Sequence, residues 1–120
     1  MPHIRLEYTD NIKISNIVDL IKAVQDILIK FSDVNIKNIK SRAIKLTKYY
    51  TDSDDGNEGF VHLEINILEG RSDKIKSLIG RNSLKVLKAY FENNTLKYPI
   101  QYSLEIRESK RSNYFTTNII

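Results

Sequence analysis

The sequence of 120 residues has no cysteine and only two histidines, and these absences limit its possible chemistry. Without cysteine, the chain can form neither a disulfide framework nor a thiolate metal site. His3 and His62 alone argue against a site built from several histidines, so we expect no metal and no cofactor. No apolar run approaches the ~20 residues that a membrane span needs, and no segment resembles a signal peptide. The sequence therefore predicts a soluble, cytoplasmic protein that does not contact a membrane.

The composition is typical of one globular domain. Hydrophobic residues make up 41% of the chain and charged residues 28%. A chain of this length builds one core rather than two, so we expect a single domain over residues 1–120. The net charge of +4 permits an anionic partner without identifying it. The basic cluster at residues 107–111 is typical of a solvated tail.

The first half of the chain has the pattern of a strand, a helix and a second strand. Apolar and polar residues alternate over residues 2–8, as in a strand with one buried face. Apolar residues then recur at helical spacing over about 15–31, and Ser15 is the expected N-cap. Alternation resumes over about 39–49, which predicts the second strand.

The second half repeats this plan after an acidic loop at residues 51–59. The loop lacks the glutamate that a calcium-binding loop requires at its twelfth position, so we do not expect calcium there. Residues 61–67 give the most regular alternation in the chain. Ser72 is expected to cap a second helix that ends at Asn93-Asn94, and Pro99 to open a fourth strand.

These patterns predict an α+β domain of two β-α-β units, at about residues 1–50 and 59–107, followed by a tail at 108–120. Right-handed crossovers make the strands of each unit parallel, so both helices cover one face of a four-stranded mixed sheet. The other face is too polar for a second core and must be solvated or line a wet interface with other subunits. His3 and His62 occupy equivalent positions on that face, where structural hydrogen bonding is a commoner role than catalysis.

The same order of elements also fits a ferredoxin-like module, a class that includes RNA-binding domains. Such domains stack bases on exposed aromatic side chains. Here Tyr8 and Tyr102 fall on the apolar side, and Glu7, Glu64 and Glu105 on the polar side would repel phosphate. The pattern gives RNA binding little support, and we expect no nucleic-acid partner.

The N-terminus carries a chemical possibility because Pro2 directly follows Met1. If Met1 is removed, Pro2 carries a secondary amine, and α-amino groups titrate near pH ~7.7–8.0. Burial and neighbouring cations would lower that pKa further and make the amine a general base at neutral pH. The alternative is that Pro2 only leads into an edge strand.

Four stretches in register resemble the 5-carboxymethyl-2-hydroxymuconate isomerase family of the tautomerase superfamily. They are Pro2-His3 with Glu7-Tyr8, Ile39-Lys40-Ser41-Arg42, Phe60-Val61-His62-Leu63 and Glu69-Gly70-Arg71-Ser72. The similarity covers about residues 1–107. It implies the tautomerase fold, in which the sheets of three subunits assemble into a barrel-like homotrimer.

The resemblance also implies a cofactor-free isomerase that acts on a small unsaturated di- or tricarboxylic acid in aromatic-compound catabolism. It makes Pro2 the catalytic base and Arg71 a residue that binds the anionic substrate. Where the family has a second substrate-binding arginine, this chain has Lys40. Lysine keeps the positive charge but cannot bind a carboxylate through two parallel hydrogen bonds, as a guanidinium does. Arg42 projects from the same side of the strand and is expected to share that role. The alternative is another proline-based activity (another tautomerase, a decarboxylase or a hydratase) or a non-catalytic trimeric binding protein.

Overall fold

The chain forms four strands and two helices in the order that the sequence predicts. The computed structural model describes residues 1–52, 58–92 and 99–119. The elements are β1 (His3–Thr9), α1 (Ile17–Phe31), β2 (Lys40–Leu46), β3 (Gly59–Leu68), α2 (Asp73–Glu92) and β4 (Ile100–Ser109). A short 3-10 helix, Ile36–Asn38, precedes β2, and another, Arg111–Asn113, follows β4.

Two predicted features fall wholly or largely outside the described residues. They are residues 53–57 of the acidic loop and the helix end at Asn93-Asn94. Within the described ranges, no helix has the length and apolarity needed to cross a membrane.

The sheet has the strand order β2-β1-β3-β4. Strand β1 runs parallel to β2, and β3 runs parallel to β4, while β1 and β3 pair in antiparallel fashion at the centre. This confirms the predicted α+β fold with a mixed four-stranded sheet. In the register, His3 lies opposite Lys40 on β2, and Arg5 lies opposite Arg42. Partners in a ladder share a face, so Lys40 and Arg42 project from the same side of β2, as predicted, and that side is the polar face of the sheet.

The core lies between the sheet and the two helices. Strand residues on the helix side are fully buried; they include Ile4 and Leu6 of β1 and Val61, Leu63, Ile65 and Ile67 of β3. They pack with Leu20, Val24 and Leu28 of α1 and with Ile79, Leu87 and Phe91 of α2. Each such side chain contributes roughly 1.5–3 kcal/mol through burial. Tyr8 and Tyr102 pack against this core, as their phase in the strands predicts.

Helix α1 begins later than predicted, and Ser15 is not its N-cap. Asn16 takes the N-cap position, and its side chain makes no capping hydrogen bond. The Tyr90 hydroxyl of α2 instead accepts from the Asn16 backbone N–H at 3.1 Å and donates to the Asn16 carbonyl oxygen. A contact from another helix replaces the local cap. By contrast, Ser72 caps α2 as predicted, since its Oγ accepts from the Ile75 N–H at 3.2 Å.

Two strand ends differ from the sequence prediction because pairing partners set them. Strand β2 ends at Leu46 rather than near residue 49, since Leu46 pairs with Thr9, the last residue of β1. Strand β4 continues to Ser109 rather than ending near residue 107, since β3 still offers Leu68 as its partner. The additional residues of β4 carry the chain toward the loop that contains Arg71.

Candidate active site

Pro2 lies in a small pocket at the start of β1. It is buried, and its carbonyl oxygen accepts a hydrogen bond from the Lys40 backbone N–H at 3.0 Å. This bond ties the beginning of the chain to the beginning of β2. The pocket has a volume of about 80 Å³ and is lined by Met1, Pro2, Val34, Ile67, Leu68, Arg71 and Arg111. The structure therefore brings two of the predicted site residues, Pro2 and Arg71, into one cavity.

Arg71 enters the pocket from the loop between β3 and α2. Gly70, just before it, has a φ of +122°, a conformation that favours glycine. The Arg71 side chain is 17% exposed and pairs with Oδ1 of Asp33 at 3.2 Å. It also donates to the Leu68 carbonyl oxygen at 3.3 Å. Its Nε is buried and has no hydrogen-bond partner in the described structure. One donor of this guanidinium is thus buried and unsatisfied.

The N-terminal amine lies in an environment that favours its neutral form. The Met1 nitrogen donates to the Tyr114 hydroxyl at 3.4 Å. Burial lowers the pKa of this amine, and the positive charge of Lys40 lowers it further. This amine is therefore more easily deprotonated than in water.

The other two predicted cations lie next to the pocket but do not line it. The Lys40 side chain is exposed, and its Nζ donates to the Lys37 carbonyl oxygen at 3.2 Å. Arg42 donates from Nη1 to Nδ1 of His3 at 3.2 Å. The charge of Lys40 lowers the pKa of the N-terminal amine, whereas Arg42 forms a hydrogen bond to His3. Their roles in substrate binding stay predictions.

His3 connects Arg42 to the C-terminal segment. Because Arg42 donates to Nδ1, the neutral ring carries its proton on Nε2, which donates to the Tyr114 hydroxyl at 3.1 Å. Burial lowers the pKa of His3, and the charges of Arg42, the N-terminus and Lys40 lower it further. The predicted hydrogen-bonding role therefore fits the contacts that His3 makes.

Sequence reasoning missed two residues of the site, Arg111 and Tyr114. We interpreted the basic cluster at 107–111 as part of a solvated tail, yet Arg111 lines the Pro2 pocket. Tyr114 belongs to the short apolar end of the chain and contacts both Met1 and His3. No sequence periodicity marks either residue. The only available signal was the presence of aromatic side chains in an otherwise polar terminal segment.

The polar face of the sheet is held by side-chain pairs along and between strands. Nδ1 of His62 lies 2.7 Å from the Ser103 hydroxyl. Arg107 pairs with Glu105 at 3.0 Å and with Glu64 at 3.8 Å. Within the described residues, no group of three or more histidine, aspartate or glutamate side chains is arranged to hold a metal ion. The Pro2 pocket is therefore the best-supported candidate site.

One protein family matches the sequence almost end to end. Residues 2–120 match the family model for 5-carboxymethyl-2-hydroxymuconate isomerase. The crystal structure of a 5-carboxymethyl-2-hydroxymuconate isomerase from Deinococcus radiodurans R1 is 31% identical, with a TM-score of 0.87 over 98% of this chain and 90% of that one. A second structure, of a 5-carboxymethyl-2-hydroxymuconate delta-isomerase, is 15% identical, with a TM-score of 0.82 over 98% and 88% of the two chains. No curated protein sequence matches this chain.

More distant structures share the same architecture. The structure called "Q0 fused 4-OT wild type symmetric trimer" is 10% identical to this chain and has a TM-score of 0.75, over 98% of this chain and 94% of that one. At this identity the similarity concerns the fold and carries no information about activity.

Proposed function

Because this chain belongs to the 5-carboxymethyl-2-hydroxymuconate isomerase family of the tautomerase superfamily, we propose that it is a cofactor-independent tautomerase. Its substrates are small unsaturated di- or tricarboxylic acids, and its base is the Pro2 amine after Met1 has been removed. The observation that carries this proposal is that Pro2 and Arg71 line one small pocket. A role in aromatic-compound catabolism and a cytoplasmic location stay predictions from the sequence.

Removal of Met1 is the condition for this chemistry. In the chain with Met1, the Pro2 nitrogen is an amide without basicity. Without Met1 it is a secondary amine, and we expect the burial and the Lys40 charge that lower the pKa of the Met1 amine to lower its pKa as well. Pro2 is buried, and its carbonyl oxygen accepts a hydrogen bond from the Lys40 backbone N–H. A base with a pKa near the working pH is the most effective one.

The reaction needs only one group to carry the proton. The Pro2 nitrogen takes the proton from the enol oxygen, and the electron pair of that O–H bond becomes the second bond of the new carbonyl. The π electrons of the enol double bond shift along the conjugated system to a distant carbon. That carbon takes the proton back from the Pro2 ammonium, so the amine is regenerated.

Arg71 supports this step electrostatically. Negative charge spreads over the oxygens of the substrate while the proton is on Pro2, and a fixed guanidinium stabilises it. The Arg71 side chain lines the pocket, and its guanidinium carries donors that suit a carboxylate or enolate oxygen. A second carboxylate is expected near Lys40, with Arg42 sharing that role if His3 releases it.

We also propose that the protein works as a homotrimer. One structural neighbour is described as a symmetric trimer, and the polar face of the sheet suits the wet interior of such an assembly. The subunits would then join through the edge strands, which are β2 and β4 in this chain.

The central test compares wild-type protein with Pro2→Ala in the ketonisation of 2-hydroxymuconate or phenylenolpyruvate. Intact-mass measurement first establishes that Met1 is absent from both proteins. We expect Pro2→Ala to lose about a hundredfold or more in kcat/KM, which is the usual scale of general acid–base catalysis. Equal rates for the two proteins would contradict the proposal.

Pro99→Ala is the matched control, because Pro99 is the only other proline and is exposed at the start of β4. It should keep wild-type activity. A preparation that retains Met1 should be inactive while keeping the same fold by circular dichroism.

The Lys40 position favours one alternative within the same fold. A lysine there cannot grip a planar carboxylate in bidentate fashion, and its Nζ is bonded to the Lys37 carbonyl oxygen. Another proline-based activity on a different small acid is therefore the second candidate. Testing related dicarboxylic and monocarboxylic enols in the same assay separates the two.

A further inference from the structure

The chain segment from Ser109 to Tyr114 runs past the Pro2 pocket and is hydrogen-bonded to the rest of the domain at both of its ends. At the first end, the Glu69 N–H donates to the Ser109 carbonyl oxygen at 3.0 Å and extends the pairing of β3 with β4. At the other end, the Tyr114 hydroxyl contacts His3 at 3.1 Å and the Met1 nitrogen at 3.4 Å. The 3-10 turn Arg111–Asn113 lies between these contacts. The position of Arg111 is therefore set from both sides.

The side chain of Arg111 reaches the wall of the pocket next to Arg71. It lines the cavity together with Pro2 and Arg71. Its Nη2 would lie 3.7 Å from a Cβ placed on Gly70, so the guanidinium sits over the backbone that immediately precedes Arg71. Two guanidinium groups thus contribute to one cavity of about 80 Å³.

The positive charge at this pocket is poorly balanced by the protein. In the described part of the chain, Arg111 makes no ion pair within 4.0 Å. Asp33, the partner of Arg71, is 94% exposed, so water and salt screen its charge. The buried Nε of Arg71 has no acceptor. The geometry of a guanidinium matches that of a carboxylate, and an anion in the cavity would balance the charge of the two arginines.

Met1 is one of the residues that line this cavity. Its removal therefore leaves more space beside Pro2 than the about 80 Å³ that is present with Met1 in place.

We propose that Arg111 and Arg71 form a paired guanidinium site beside Pro2 that binds one carboxylate of a dicarboxylic substrate. Arg111 thereby supplies a second guanidinium inside the pocket, whereas Lys40 offers only a point charge outside it. This inference rests on the proposed function for the identity of the substrate, but the binding itself can be measured without turnover.

The test uses Met1-free, full-length protein and isothermal titration calorimetry with cis,cis-muconate, a dicarboxylate that has no enol to react. We compare wild type with Arg111→Ala and Arg111→Lys. The matched control is Lys110→Ala, which removes the same charge from the neighbouring residue, outside the pocket lining. Arg111→Ala should raise the Kd about tenfold or more, Arg111→Lys should raise it less, and Lys110→Ala should leave it within about twofold. If turnover occurs, Arg111→Ala should also raise KM with little change in kcat.

Three results would overturn the inference: wild-type protein that does not bind muconate, Arg111→Ala that binds it as tightly as wild type, or Lys110→Ala that weakens binding as much as Arg111→Ala. Failure of the proposed function looks different. In that case, muconate binds in an Arg111-dependent manner, yet no enol substrate is ketonised.

Discussion

Arg71 is the residue whose environment is hardest to explain by structure alone. A guanidinium that is only 17% exposed normally has all its donors satisfied, but Nε of Arg71 is buried without an acceptor. Its one carboxylate partner, Asp33, is almost fully exposed. Such an arrangement contributes little to folding and fits a residue kept for a ligand.

We predict that Arg71→Ala lowers kcat/KM for a dicarboxylic enol by about a hundredfold, because one fixed donor to a developing oxyanion is worth that much. Arg71→Lys should recover only part of the loss, since lysine keeps the charge and loses the fork. Steady-state kinetics checks both values. Arg81→Ala, on the exposed side of α2, serves as control and should have wild-type rates.

His3 makes the stability of the protein depend on pH. Burial and the nearby cations put its pKa in the folded protein below the ordinary value of 6.5. The unfolded chain therefore holds the proton more tightly than the folded one. The stabilisation is fully present above about pH 6.5 and is lost as the pH falls through the folded pKa.

We accordingly predict that His3→Gln loses less stability than wild type between about pH 8 and pH 5. Glutamine keeps one donor and one acceptor for Tyr114 and Arg42 but cannot take up a proton. Urea unfolding at a series of pH values measures the difference, and an NMR titration of His3 tests the direction of the pKa shift itself. Parallel stability curves for the two proteins would contradict this account.

At the scale of elements, Tyr90 joins the two helices at the point where α1 begins. Its hydroxyl satisfies both the N–H and the carbonyl of Asn16, whose own side chain gives no cap. The backbone groups at a helix start otherwise depend on water or a local side chain. The start of α1 is therefore set by tertiary packing.

We predict that Tyr90→Phe destabilises the protein by about 1 kcal/mol, the typical net contribution of such a hydrogen bond. The ring remains and still packs against Phe91 at 5.5 Å, so the change isolates the hydroxyl. Denaturant unfolding measures the loss. Tyr50→Phe, at a side chain that is 79% exposed, is the control and should change the stability by less than about 0.5 kcal/mol.

Local patterns predicted the elements well and their ends less well. The alternation of Ile4 and Leu6, or of Val61 and Leu63, is a direct effect of one buried sheet face, so the strands could be read from the sequence. The end of β2 depends on where β1 stops, which is not local information.

The same reasoning explains what was found of the site. Pro2 and Arg71 could be identified because they stand in short motifs. Arg111 and Tyr114 reach the pocket only because the segment after β4 lies next to the start of β1. This is a contact between distant parts of the sequence, and no local pattern predicts it.

At the scale of the whole molecule, the sheet has two edge strands and one strongly polar face. Exposed strand edges are sites of pairing between chains. We predict that the protein elutes as a single species with about three times the chain mass of 14.0 kDa. Size-exclusion chromatography with light scattering measures this, and a monomer at all concentrations would contradict the proposed trimer.

The contact between Met1 and Tyr114 has a consequence for how the protein is made. These two residues are 113 positions apart, so Met1 leaves the ribosome long before Tyr114 has been synthesised. An aminopeptidase that acts on the growing chain meets a free N-terminus, because the segment that later crosses it does not yet exist. After folding, the same residue is half-buried and contacts Tyr114. We therefore expect Met1 to be removed more readily during synthesis than from the folded protein.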